Sequence, residues 1–124
     1  MTQPLALVVY EKLLPGTQLV NRLQDLKYRV RAVTDAETLV ACAQQERPML
    51  VLADLASARH NVVNAISGMK QGPETRHIPI IAFAPDDAAD LYKAAQEAGA
   101  DLVASEAAIL NHLPQFLEQA LRVE

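Results

Sequence analysis

Met49-Leu50-Val51-Leu52-Ala53-Asp54 is the stretch on which the fold turns. Five apolar residues follow one another without polar alternation, which suits a short strand covered on both faces. Pro48 closes the approach to it, and Asp54 is delivered at its C-terminal end. Two runs of the same character lie on either side, Leu5-Ala6-Leu7-Val8-Val9-Tyr10 and Pro79-Ile80-Ile81-Ala82-Phe83-Ala84. Val30, Ala32 and Val33 mark a further strand with Arg29 and Arg31 on its wetter face. Asp101-Leu102-Val103-Ala104 marks a short last one.

Helical spacing occupies the gaps. Leu19, Leu23 and Leu26 predict a first helix from about Pro15 to Lys27, with Pro15 in the first turn, where a missing N–H costs nothing. Thr34 and Glu37 form a capping-box pattern for a second, striped by Ala36, Leu39, Val40 and Ala43. Asn61 is placed to cap a third, which carries Val62, Ala65, Ile66 and Met69 and ends at Gly72-Pro73. Asp86 or Asp87 opens a fourth, in which Ala88, Leu91, Ala95 and Ala98 share a face and Gly99 supplies the left-handed closing residue. The last helix carries Leu113, Phe116, Leu117, Ala120 and Leu121. Pro114 would cost about 3 kcal/mol in a helix interior, so the regular helix is expected to begin between Asn111 and Pro114, after an irregular turn.

Strand and helix thus alternate five times through one expected domain, residues 1–124, with no repeat or linker. Such alternation implies an α/β fold, a five-stranded parallel sheet flanked by helices on both faces. In open sheets of this kind function gathers at the C-terminal ends of the strands. Tyr10, Glu11, Asp54, Ala84 and the segment from Ala104 to Glu106 are therefore expected along one edge.

Composition narrows the function. Hydrophobic residues make up 51% of the chain, yet aromatics are scarce and Trp is absent, so the core must be aliphatic. The net charge of −4 and the mixing of both signs argue against nucleic acid or an anionic membrane as partner, since both reward a concentrated basic face. Lys27, Arg29 and Arg31 read as a solvated helix end and strand face. Cys42, a lone cysteine within an apolar helical pattern, reads as a small core residue and permits neither an internal disulfide nor a cysteine metal cluster. His60, His77 and His112 share no metal-ligand spacing, and Gly16, Gly68, Gly72 and Gly99 form no phosphate loop. No apolar run approaches the roughly 20 residues of a membrane span, and the N-terminus lacks a signal-type core, so a cytoplasmic protein is expected.

Val8-Val9-Tyr10-Glu11, Leu50-Val51-Leu52-Ala53-Asp54, Pro73-Glu74-Thr75-Arg76-His77-Ile78-Pro79-Ile80-Ile81 and Ala98-Gly99-Ala100-Asp101 resemble the receiver domains of bacterial response regulators, in order and spacing, over almost the whole chain. The resemblance implies a flavodoxin-like, receiver-like sheet of strand order 2-1-3-4-5 and a place in two-component signalling or a phosphorelay. In that family an acidic pair after the first strand holds magnesium, and an Asp after the third accepts a phosphoryl group. A Ser or Thr after the fourth strand and a Lys after the fifth contact that group, and an aromatic residue on the fifth strand reports the change. By resemblance Asp54 stands at the phosphoacceptor position and Glu11 is what remains of the acidic pair, its neighbour being Tyr10. Ala84 stands at the hydroxyl position, Val103 at the aromatic one, Glu106 at the lysine, and Ala107 where a Pro is usual. Receivers with such losses are pseudo-receivers, and this chain resembles one.

The substitutions act through charge. A phosphoryl group brings nearly two negative charges and needs cations or donors around it. Glu106 would add a carboxylate where the family has an ammonium. Two unit charges ~6 Å apart at an effective dielectric near 20 repel by roughly 3 kcal/mol, on the order of 100-fold in an equilibrium constant. A bound magnesium would offset part of this. Ala84 removes a hydroxyl that would draw its loop inward, and Val103 removes the rotor that would follow. The expectation is therefore a phosphorylation-independent protein-interaction module, neither an enzyme nor a cofactor binder. Its partner would be a signalling kinase, an output domain or a second copy of itself. By resemblance the partner face is made by the fourth helix, fifth strand and fifth helix, with Asp90, Tyr92, Lys93 and Gln96 the first residues to look at. The alternative is a magnesium-dependent phosphoacceptor using Asp54, with Glu11 and Asp54 holding the metal and Ser57 or Ser105 lending a hydroxyl. On the bland reading Asp54 is an inert loop or capping residue and Tyr10 a packed aromatic. A small-ligand pocket at the same strand ends would have few convergent polar groups.

Overall fold

The computed structural model describes residues 4–9, 13–33, 39–55, 62–73, 75–85 and 87–121. The aliphatic runs form one sheet of five strands, β1 (Leu5–Val9), β2 (Arg29–Val33), β3 (Leu50–Asp54), β4 (Ile80–Ala84) and β5 (Leu102–Ser105), in the order β2-β1-β3-β4-β5. Every neighbouring pair is parallel. The strand order is the one the resemblance implied, and the burial follows from it. All residues of β1, β3 and β4 are buried, because helices cover both of their faces. β2 lies at an edge, where Arg29, Arg31 and Ala32 are exposed and Arg31 pairs with Glu46 at 3.4 Å.

Among the described residues the helices are α1 (Leu13–Asp25), α2 (Leu39–Glu46), α3 (Val62–Gln71), α4 (Ala89–Ala98), α5 (Glu106–Asn111) and α6 (Leu113–Leu121). The period-two alternation of the strands sorts the aliphatic residues into two cores. Leu7, Val9, Val51 and Ala53 face one side and meet Leu39, Ile66, Met69 and Ala95 of α2, α3 and α4. Val8, Leu50, Leu52 and Phe83 face the other and meet Leu19, Leu23, Ile109 and Leu117 of α1, α5 and α6. None of the described helices is long and apolar enough to cross a membrane.

Several local expectations are corrected. Met49 lies outside β3 and is 49% exposed. α1 begins and ends two residues earlier than its apolar spacing suggested. It stops because Lys27 turns to φ +74°, where its N–H donates to Gln24 O at 3.0 Å and that of Tyr28 to Leu23 O at 3.0 Å. Those two bonds make a Schellman motif, which satisfies the last carbonyls of the helix. Burial of the Tyr28 side chain behind this turn raises its pKa above that of a free tyrosine. The N-cap of α4 is Ala88, with no side-chain cap, and Asp87 is exposed beside it. The irregular turn expected before the last helix is instead α5, and Pro114 sits harmlessly as the second residue of α6. The expected caps Thr34, Glu37, Asn61 and Asp86 fall outside the described residues.

Candidate functional site at the strand ends

The sheet register decides which of the expected residues meet. Val9 pairs with Ala53, Asp54 with Phe83, and Ala84 with Ser105, so the ends of β3, β4 and β5 form one continuous edge. Asp54 is the last residue of β3, and the Leu55 N–H after it donates to Phe83 O at 2.9 Å. By the alternation of β3 the Asp54 side chain continues the series of Leu50 and Leu52, toward the α1 and α6 side. It is only 1% exposed. Tyr10, Glu11, Ser57 and His60 lie outside the described residues, so the Glu11–Asp54 arrangement is not among those seen.

The other positions of this edge are described. Ala84 ends β4 fully buried, presenting a methyl group where a hydroxyl was at issue. Val103 is half-buried on β5, against the core shared with Ala82 and Ala95. Ser105 ends β5 as the N-cap of α5, its Oγ accepting the Ala108 N–H at 3.1 Å. In the sequence Ser105 offers only a spare hydroxyl, and the cap depends on where α5 begins. Glu106 follows as the first residue of α5, half-buried, where a negative charge suits the positive end of the helix. Among the described residues no three His, Cys, Asp or Glu side chains gather where they could hold a metal ion.

Two of the segments that carry the resemblance, around Thr75 and Asp101, sit at the opposite end of the sheet. Thr75 is fully buried and donates its hydroxyl to Met69 O at 2.7 Å, closing α3. Lys70 Nζ donates to Asp101 Oδ2 at 2.8 Å, to Ile78 O at 3.0 Å and to Arg76 O at 3.2 Å. Asp101 Oδ2 also accepts the Ile80 N–H at 2.8 Å, and the Asp101 N–H returns a bond to Ile80 O at 2.9 Å. These residues align the starts of β4 and β5 with the end of α3. They explain the architecture and carry none of the strand-end chemistry.

On the expected partner face, Asp90, Lys93 and Gln96 of α4 are exposed. Tyr92 is half-buried rather than exposed, with its hydroxyl 3.0 Å from Ala84 O and 2.8 Å from Pro85 O. Tyr92, Gln96, Val103, Ala104 and Ser105 line a groove of about 310 Å³ between α4 and β5.

No protein-family model matches the sequence, and no curated protein matches it. Solved structures do. A protein assigned as a response regulator from Chloroflexus aurantiacus superposes with a TM-score of 0.89 at 18% identity, covering 98% of this chain and 100% of that one. The receiver domain of a sensor histidine kinase from Pseudomonas aeruginosa, with a magnesium ion coordinated in its active-site cleft, gives 0.88 at 20% identity, covering 98% of this chain and 100% of that one. NtrX from Brucella abortus in complex with ADP gives 0.84 at 18% identity over 98% of this chain, which spans 27% of that protein. The chain has the receiver-domain fold of response regulators.

Proposed function

We propose that this receiver fold serves two-component signalling in the cytoplasm as a protein-interaction module that is not phosphorylated and catalyses nothing. The observation that carries the reading is the composition of the β4 and β5 ends. Ala84 is a buried methyl, Ser105 Oγ is already engaged as a helix cap, and Glu106 brings a carboxylate to the position where a cation would steady a phosphoryl group. Partners of the kind the resemblance implies are a signalling kinase, an output domain or a second copy. The similar region of NtrX is a minor part of a longer chain, and the Pseudomonas receiver belongs to a sensor kinase.

A second reading, phosphoryl acceptance by Asp54 with magnesium, is favoured by the position of Asp54 at the end of β3 and by the metal in the Pseudomonas neighbour. Carboxylate oxygens from Asp54 and Glu11 are the donor type that hard cations take, and magnesium there would neutralise incoming phosphate charge. The described residues supply one of those two carboxylates. Incubation with acetyl phosphate and magnesium, followed by intact-mass measurement, separates the readings. No phospho-adduct is expected. A stoichiometric adduct that disappears in Asp54→Asn would replace the first reading with the second.

A further inference from the structure

Tyr92 is the polar side chain of α4 whose contacts the strand-end chemistry does not explain. Where β4 ends, its ladder of hydrogen bonds ends too, and the carbonyls of Ala84 and Pro85 need other donors. The Tyr92 hydroxyl, with one proton, lies within bonding distance of both. Pro85 O accepts in addition the Ala88 N–H at 3.1 Å, and Ala88 O accepts the N–H groups of Leu91 and Tyr92 at 3.0 and 3.2 Å. Pro85 is thus tied to Ala88 by the backbone, and Ala84 and Pro85 are tied to α4 by the Tyr92 phenol.

We infer that Tyr92 is a latch: its hydroxyl ties the first turn of α4 to the last peptide of β4 and so sets the shape of the groove between α4 and β5. The inference rests on that face being where partners bind. Tyr92 and Gln96 line the groove on the α4 side, and Val103, Ala104 and Ser105 line it on the β5 side. Released from those carbonyls, the Tyr92 ring would be free to swing within the groove that Val103 also lines. Held by its hydroxyl, the ring stays on the α4 side and the groove stays open. α4 is thereby kept in one position without any chemistry at Asp54. Tyr92 is a positioning residue, and it acts through the two carbonyls.

Hydrogen exchange of the free protein, with neither partner nor phosphodonor present, tests the latch separately from the function proposed above. Tyr92→Phe removes the hydroxyl and keeps the ring. It is expected to speed exchange of the amides of Ala88, Leu91 and position 92 by about fivefold, the effect of one net hydrogen bond. The amides of Leu52 and Ile81 in the central strands should keep wild-type rates. Gln96→Ala, which lines the same groove without touching those carbonyls, should leave the loop amides unchanged. Uniform acceleration along the chain, no acceleration at all, or an equal effect from Gln96→Ala would each overturn the latch. Should Tyr92→Phe fail to fold, the wild-type Tyr92 hydroxyl proton serves instead. Slow exchange with water supports the latch, and exchange at the rate of a free tyrosine overturns it.

Discussion

Lys27 at the end of α1 and Gly99 at the end of α4 occupy equivalent places, with φ +74° and φ +108°. Around Gly99 the N–H of Ala100 bonds to Ala95 O at 3.0 Å and that of Gly99 to Gln96 O at 3.1 Å, the same pair of bonds that surrounds Lys27. Glycine meets no Cβ penalty in this conformation, whereas lysine does. Lys27→Gly is therefore expected to stabilise the fold by about 0.5–1 kcal/mol, the relief of strain exceeding the added freedom of the unfolded chain. Urea unfolding should show a higher midpoint with an unchanged slope. Gly99 does not tolerate the reverse change, since a Cβ there would approach Lys70 Cγ to 2.9 Å. Asp101 is the neighbouring test of polar satisfaction. Asp101→Ala leaves the Ile80 N–H and one Lys70 donor without their shared acceptor. Loss of about 1–2 kcal/mol in the same unfolding measurement is expected, water replacing part of the bonding at this half-open site.

At the scale of elements, α5 is a six-residue helix, too short to persist on its own propensity. It stands because Ser105 caps it and Ile109 is buried against α1 and the sheet. Ser105→Ala is expected to cost about 1 kcal/mol and to raise the exchange of the Ala108 amide more than that of any β3 amide. The uninterrupted runs of β1, β3 and β4 were legible in the sequence because a strand buried on both faces needs nothing but apolar residues. α5 was not legible, because one buried residue in six gives no periodicity and Pro114 pointed to an irregular turn before the last helix. Met49 misled for the complementary reason: apolarity extends the run, but the strand begins one residue later, where pairing with Ala6 starts at Leu50.

For the whole molecule, the question is whether the strand-end edge can hold a phosphate. Glu106→Lys combined with Ala84→Ser should bring a cation and a hydroxyl to that edge and allow an acetyl-phosphate adduct on Asp54, where none is expected of the wild-type chain. Intact mass and the further change Asp54→Asn provide the check. Failure of the double variant to form an adduct would mean that the losses at β4 and β5 are not what prevents phosphorylation.

Composition and spacing alone determined the alternation of strand and helix, the aliphatic core and the arrival of Asp54, Ala84 and Glu106 at strand ends. These follow from local periodicity and from the direction of each strand, which any parallel sheet shares. Tertiary structure alone decided that Asp54 is sealed to 1% exposure, that Ser105 is spent as a cap and that Tyr92 turns inward to the Ala84 and Pro85 carbonyls. Burial and hydrogen-bond partners depend on which neighbouring element covers a residue, and that is set by contacts between segments far apart in the chain.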